Sequence, residues 1–376
     1  MPSLLNNVRV AVVADWITDL GGAERVTRDI LDAFGQADLV TSVYFPRKND
    51  FFAERKIVTS FLQRVPFFGP RHKFVPFLRR HAFEMIDLRA YDLVISSSSA
   101  ESKGVITRPD ALHICFCHTP TRYLWSHAAE YLRVPGFGWL DFLARPLARA
   151  WAHKARLWDW AAAQRVDIFL ANSKATAARI AKYYGRTSCV IHPGIDLTQF
   201  TVGREKEDAY VALGRVVPYK RFDLLVDAFN GTGRRLTIVA GTKTKLAMKL
   251  VARSDDNIEW IFGASDEEVR HIMTRARGLV FPQEEDFGIV PLEAMACGTP
   301  VIAFARGGAL ETVKSEISGQ FFDEQSPEAL RHALTQFESR RWDPFSVRQS
   351  IQNFDATVFR RQIREACEHA WLARAV

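Results

Sequence analysis

At 376 residues and 48% apolar content, the chain is too long for one ordinary core and apolar enough to build two. No apolar run reaches the length of about eighteen residues that spans a bilayer, and the opening MPSLLNNVRVAVVADW lacks a basic region and cleavage site, so a cytoplasmic protein is expected. Five scattered cysteines argue against a disulfide framework, while a net charge of +7 calls for an anionic partner such as nucleotide, nucleic acid or acidic lipid.

Residues 8–16, VRVAVVADW, form an apolar run bounded by polar residues and read as a buried parallel strand. In the following TDLGGAERVTRDILDAFG, Val26, Ile30, Leu31 and Phe34 fall at helical spacing. Gly21 and Gly22 therefore sit where strand passes to helix, the place where an open α/β sheet takes its ligands. The spacing is not GxGxxG, so a tight turn without a ligand is the plain alternative. DLVTSVYF, KIVTSF, DLVISSSS and ALHICFCH continue the strands with helical stretches between them, a doubly wound pattern. Cys115 and Cys117 fall on one face of the last strand, about 6.6 Å apart along it. With no second cysteine pair nearby, packed thiols are expected there rather than a metal. His118 stands at the carboxyl end of the same strand, immediately before Thr119-Pro120. Arg122, one turn on, reads equally as a phosphate ligand and as a solvent-facing cation.

Two stretches interleave bases with large aromatics: RVPFFGPRHKFVPFLRRHAF from Arg64, and GFGWLDFLARPLARAWAHKARLWDW from Gly136. Both read as amphipathic helices. Arg79, Arg80, Arg145 and Arg149 are expected to meet an anionic leaflet, with a solvated basic face over an ordinary core as the alternative. No nucleic-acid-binding spacing is present. DIFLANS leads into SKATAARIAKYYG, a helix capped by Ser173 and closed at Gly185. CVIHPGIDLTQF reads as a last strand and turn, and the charged TVGREKED as a linker. The division expected is 1–204, 205–350 and a helical tail over 351–376.

YVALGRVVPYKRFDLLVDAF opens a second sheet, with Arg215 at the strand end and Lys220 before a helix. A guanidinium fork and an ammonium at a helix entrance suit a diphosphate. RLTIVAG, NIEWIFGAS, GLVFPQ and TPVIAFA supply further strands, with DEEVRHIMTRA a helix opened by Ser265. Between the last two strands, EEDFG is too acidic and Gly-rich to extend a strand, and VPLEAMA resumes with a Pro at home in a first helical turn. Glu285 is thus placed in a loop and Glu293 on a helix. One continuous helix would hold these carboxylates about 12 Å apart, wide for a glycosidase pair, which needs about 5 to 9.5 Å. A loop followed by a helix start instead directs an acid and several N–H groups into one crevice, an arrangement that suits an anionic ligand carrying hydroxyls.

E-x7-E from Glu285 to Glu293, followed by AMACGTPVIA and GGALETV, resembles the donor-site signature of retaining glycosyltransferases of family 4. The resemblance covers nearly the whole chain. It implies the α/β GT-B fold, two Rossmann-like domains facing across a cleft, with the tail crossing back to the N-terminal domain. It places Glu293 on the ribose hydroxyls of a nucleotide-sugar donor and Glu285 beside the transferred hexose. Arg215 and Lys220 fall on the diphosphate, Gly21 and Gly22 near diphosphate and acceptor, and Phe287, Gly288, Ile289 and Val290 along the donor. His118 falls beside the hexose. HTPTRYLW is close to the version in bacterial mannosyltransferases of polysaccharide assembly. That likeness implies GDP-mannose and a saccharide acceptor, lipid-linked, with UDP-hexoses left open. No DxD is convincingly placed, so metal independence is expected. A sugar-nucleotide epimerase of the same fold is one competitor. A basic membrane- or nucleic-acid-binding protein is another, but it leaves Glu285, Glu293, Arg215 and Lys220 unexplained together, and no nucleic-acid partner is expected.

Overall fold

In the computed structural model, which describes residues 5, 7–18, 21–46, 50–65, 76–129 and 141–374, the apolar runs become short parallel strands. β1 (Val10–Ala14), β2 (Asp38–Thr41), β3 (Ile57–Thr59), β4 (Leu93–Ser98), β5 (Leu112–Cys117), β6 (Ile168–Ala171) and β7 (Ser188–Val190) form one sheet in the order β3-β2-β1-β4-β5-β6-β7. β8 (Ala209–Gly214), β9 (Arg235–Ala240), β10 (Ile258–Phe262), β11 (Gly278–Phe281), β12 (Val301–Phe304) and β13 (Gly319–Phe322) form a second, in the order β10-β9-β8-β11-β12-β13. Every β1, β4 and β5 residue is buried, as strands covered on both faces require. Each order reverses once, between β1 and β4 in the first sheet and between β8 and β11 in the second. In open parallel sheets the carboxyl ends at such a reversal are where a crevice forms.

Helices that matter below are α1 (Gly22–Phe34), α2 (Pro76–Glu84), α3 (Asp141–Gln164), α4 (Lys174–Tyr184), α5 (Phe222–Phe229), α6 (Ile289–Ala296) and α7 (Ala356–Ala373). α4 keeps its expected ends: the Ser173 hydroxyl accepts from the Thr176 N–H at 3.0 Å, and Gly185 is left-handed at φ 65°. β13 is not legible in the sequence, because GQFF is only four residues among Ser and charged neighbours. Its pairing with β12 makes it a strand.

The chain divides into two compact units, Met1–Pro193 with Phe359–Val376, and Gly194–Val358. The stretch expected to be a linker is bonded into the second unit. Gly203 N–H donates to the Cys297 carbonyl at 3.1 Å, and Lys206 Nζ donates to Thr299 Oγ1 at 2.7 Å and the Thr274 carbonyl at 2.8 Å. Burial lowers the Lys206 pKa to about 8. In the first unit α7 is anchored by Phe359, edge-on to Phe116 at 5.4 Å, and by Arg360, whose guanidinium reaches Asp29 at 2.8 Å. Residues 66–75 and 136–140 of the two aromatic and basic stretches lie outside the described residues.

Candidate functional site

In the second unit the site is built from the loops that follow β8, β11 and β12. β11 ends at Phe281, two residues earlier than GLVFPQ suggests, and residues 282–288 are irregular up to Gly288, after which α6 begins. The helix IVPLEAMA carries a single polar side chain, that of Glu293. Pro291, Leu292 and Ala294 to Ala296 are buried around it, and Glu293 is half-buried. Glu285 thus lies in the loop and Glu293 in the helix.

The structure brings two of the expected residues into contact. Lys220 Nζ lies 3.2 Å from Glu285 Oε1, joining the turn after β8 to the loop after β11. Gly214, at φ 146°, leaves the space this requires, since a Cβ there would meet Lys220 Nζ at 3.2 Å. Arg215 is exposed and makes no hydrogen bond or ion pair among the described residues, so its guanidinium is available to an anion.

Gly307 and Gly308, which open GGALETV, pack closely against the acidic loop. A Cβ on Gly307 would lie 2.2 Å from the Glu285 carbonyl oxygen, and one on Gly308 would lie 2.2 Å from that of Phe287. Gly308 N–H also donates to the Glu285 carbonyl at 2.9 Å. The Gly-Gly turn therefore clamps the acidic loop by close backbone approach. The Phe287 side chain is buried, its ring 6.0 Å from that of Phe354. Ile289 and Val290 are partly buried against the same core.

In the first unit His118 sits just past β5 and is half-buried. Its Nε2 is 2.8 Å from Ser97 Oγ, which is 2.8 Å from Thr27 Oγ1 on α1, while Asn172 Nδ2 donates to its carbonyl at 2.9 Å. Nδ1 makes no hydrogen bond among the described residues. Burial lowers its pKa to about 4 against the opposing pull of Asp15, so the ring is neutral at pH 7 and can exchange a hydrogen bond with a hydroxyl. Gly21 caps α1, and Glu24 reaches back to its N–H at 3.0 Å; Gly21 and Gly22 are both exposed. Arg122 is half-buried.

A buried network around these loops was not legible in the sequence. Asp15 accepts from Ser99 N (2.7 Å) and Oγ (2.9 Å), Ala100 N (2.9 Å) and Ser102 N (2.7 Å), fixing the loop after β4. Lys103 and Asp159, both buried, pair at 2.6 Å, and Asp159 also accepts from Thr121, Trp125 and Tyr184, each at 2.8 Å. Burial opposes the charge on Lys103, but Asp159 outweighs it and the ammonium is held above its ordinary range. Arg79 is 3% exposed and forks onto Glu101 at 3.1 and 3.0 Å. Arg80 stacks on Trp151 and Trp158 at 5.1 and 5.6 Å. These two arginines are therefore structural, a correction to their expected docking role: buried acids and aromatic faces consume them. Arg149 is exposed, and the Arg145 side chain lies outside the described residues.

Among the described residues no three His, Cys, Asp or Glu side chains gather as a metal would require, and Cys115 and Cys117 are buried free thiols. No helix of the described residues is long and apolar enough to cross a membrane.

Residues 20–199 match the family model described as Glycosyltransferase Family 4, and residues 196–353 the one described as Glycosyl transferases group 1. A D-inositol 3-phosphate glycosyltransferase of Geodermatophilus obscurus is 29% identical over 210 residues, 46% of this chain and 46% of the relative. The chain spans about half the length of the curated relatives it matches. Among solved structures, sucrose-phosphate synthase from Thermosynechococcus elongatus superposes with a TM-score of 0.71 at 17% identity, over 97% of this chain and 100% of that one. Anabaena HepE in complex with UDP and glucose gives 0.69 at 16%, over 96% and 99%.

Proposed function

We propose that this chain of GT-B fold, whose residues 20–199 and 196–353 match the Glycosyltransferase Family 4 and Glycosyl transferases group 1 models, transfers a hexose from a nucleotide diphosphate to a saccharide acceptor with retention. The observation that carries the reading is the meeting of Lys220 with Glu285 beside exposed Arg215 and the start of α6. Cations for a diphosphate, carboxylates for hydroxyls and the N–H groups of a helix start are carried by the segments that follow β8 and β11, at the switch point of a parallel sheet. Glu293 takes the ribose hydroxyls and Glu285 the hexose. Arg215, Lys220 and the amides of the loop stabilise charge on the leaving diphosphate, and removing one such donor is expected to cost about a hundredfold or more in turnover. His118, neutral at pH 7, hydrogen-bonds a hexose hydroxyl. The bond from the anomeric carbon to phosphate oxygen breaks, the acceptor oxygen bonds to that carbon on the same face, and the acceptor proton passes to the phosphate. No metal is needed in this scheme.

GDP-mannose is the proposed donor, on the likeness around HTPTRYLW. UDP-glucose is the second reading, suggested by the ligands of Anabaena HepE. The proposed acceptor is a lipid-linked saccharide met at an anionic membrane surface on the cytoplasmic side. The outward face of α3 supports that: Arg149, His153, Lys154, Leu157 and Trp160 are exposed along it, and no acidic residue is exposed on the described part of this helix.

The test is product analysis of the purified chain with GDP-mannose or UDP-glucose, each with a lipid-linked saccharide or inositol phosphate acceptor. Acceptor-dependent release of nucleoside diphosphate, with the donor's anomeric configuration kept in the product, is expected. Donor consumed to a free epimer without acceptor would establish the epimerase instead.

A further inference from the structure

We propose that Glu285 discriminates between ligands, opposing a bare nucleoside diphosphate and admitting a complete sugar nucleotide. The inference rests on the reading of the second unit as a nucleotide-sugar site and concerns what the ion pair does there. Lys220 and Glu285 meet at 3.2 Å with only 13% and 15% of their side chains exposed. Both partners are set by glycines. Gly214 lets the Lys220 side chain lie against the end of β8, where a Cβ would come within 3.2 Å of Nζ and 3.5 Å of Cδ. The Gly307-Gly308 turn holds the backbone of Glu285 at van der Waals and hydrogen-bond distance. Surface pairs of long side chains rarely have one defined geometry; this one is fixed from the backbone on both sides.

The pairing has a consequence for any anion that approaches. A ligand bringing only phosphate must compete with the Glu285 carboxylate for Lys220, and it sets its own negative charge against that carboxylate. A ligand bringing phosphate together with hexose hydroxyls gives Lys220 an anion and Glu285 O–H donors in the same event, so the opposition is relieved. Before transfer the whole donor is favoured over its nucleotide fragment. After transfer the hexose is gone, Glu285 again competes for Lys220, and the departing diphosphate is weakened.

The experiment is calorimetry of the full chain with UDP, GDP, UDP-glucose and GDP-mannose, in the wild type and in Glu285→Gln, which keeps the size of the side chain and removes its charge. The diphosphate that binds the wild type is expected to bind Glu285→Gln about fivefold more tightly, the upper range for a partly exposed ion pair. Its sugar nucleotide should bind more weakly, so the preference for the complete donor narrows or reverses. In a Lys220→Gln background the same substitution should bring no gain in diphosphate affinity. Glu285→Ser carries the same expectations should the glutamine variant fail to fold. Unchanged or weaker diphosphate binding in Glu285→Gln, or a gain that persists without Lys220, overturns the discriminating role while leaving the nucleotide-sugar reading in place. No binding of any of the four ligands to the wild type overturns both.

Discussion

Behind β4 and β5, Lys103, Asp159, Arg79 and Glu101 are buried and turned on one another, whereas after β8 and β11 Arg215 is exposed, Glu293 is half-buried, and the paired Lys220 and Glu285 each keep some access to solvent. Lys103 and Asp159 are 1% and 0% exposed, and four donors converge on the Asp159 carboxylate. Arg79 and Glu101 are enclosed likewise. In the second unit Arg215 is exposed, Glu293 is half-buried and Lys220 meets Glu285 at 3.2 Å. The same residue types thus do two kinds of work. Saturated and buried, they hold loops in place at a large desolvation cost already offset by their partners; accessible, they keep capacity for a ligand.

The largest expected effect breaks the first unit's side of that contrast. Asp159→Ala leaves Lys103 buried without its counter-ion, and denaturant unfolding should show a loss of about 3 to 5 kcal/mol. A loss under 1 kcal/mol would mean that the network is not the scaffold described. Glu293→Ala addresses the second unit: stability should change little, while affinity for bare nucleotide and sugar nucleotide should both fall by about 1.5 to 3 kcal/mol, the worth of a charge-assisted hydrogen bond. Unchanged nucleotide affinity would remove Glu293 from the ribose.

Between pH 7 and 5 the pH effect expected is that of two histidines in the first unit. Burial lowers His118 to about 4 against Asp15's opposing pull, and burial with the nearby Arg165 charge lowers His113 to about 3, both from an ordinary 6.5. As pH falls the unfolded chain therefore takes up protons first. The stability tied to the neutral rings is fully present above about pH 6.5 and is lost toward the folded values, at about 2 kcal/mol per histidine between pH 7 and 5. Chemical denaturation at the two pH values checks this, and His118→Gln should remove its share. The smallest effect is electrostatic docking by α3. Arg149→Ser with Lys154→Ser should weaken cosedimentation with anionic liposomes by about 1 kcal/mol per charge and leave turnover on a short water-soluble acceptor intact. Equal binding to neutral and anionic liposomes would discard the idea.

Much of this architecture can be read in the residues, because alternating apolar runs and helical periods mark the strands and helices of a doubly wound fold. The loop and helix positions of Glu285 and Glu293 follow from Gly288 and Pro291, which act locally. What cannot be read is whether a charge is buried. Lys103, in SSSSAESKG, looks like a surface loop lysine, and Asp159, in KARLWDW, looks like one more polar residue of a basic helix. Arg79 and Arg80 misled for the same reason: a basic, aromatic run looks alike whether its arginines face lipid or stack on Trp151 and Trp158. The contact of Lys220 with Glu285 is equally invisible, since it joins two loops brought together only by the pairing of β8 with β11. The close approach of Gly307 and Gly308 to the backbone of Glu285 and Phe287 is likewise set by the fold and not by local sequence.

Hydrogen–deuterium exchange of the full chain, with and without saturating sugar nucleotide, locates the donor without relying on any substitution. Protection is expected at 214–222 and 284–293, the segments that carry Arg215, Lys220, Glu285 and Glu293, with the buried loop at 99–104 already protected in both states. Protection confined to the first unit, with 284–293 unchanged under saturating donor, would contradict the assignment of the donor to the second.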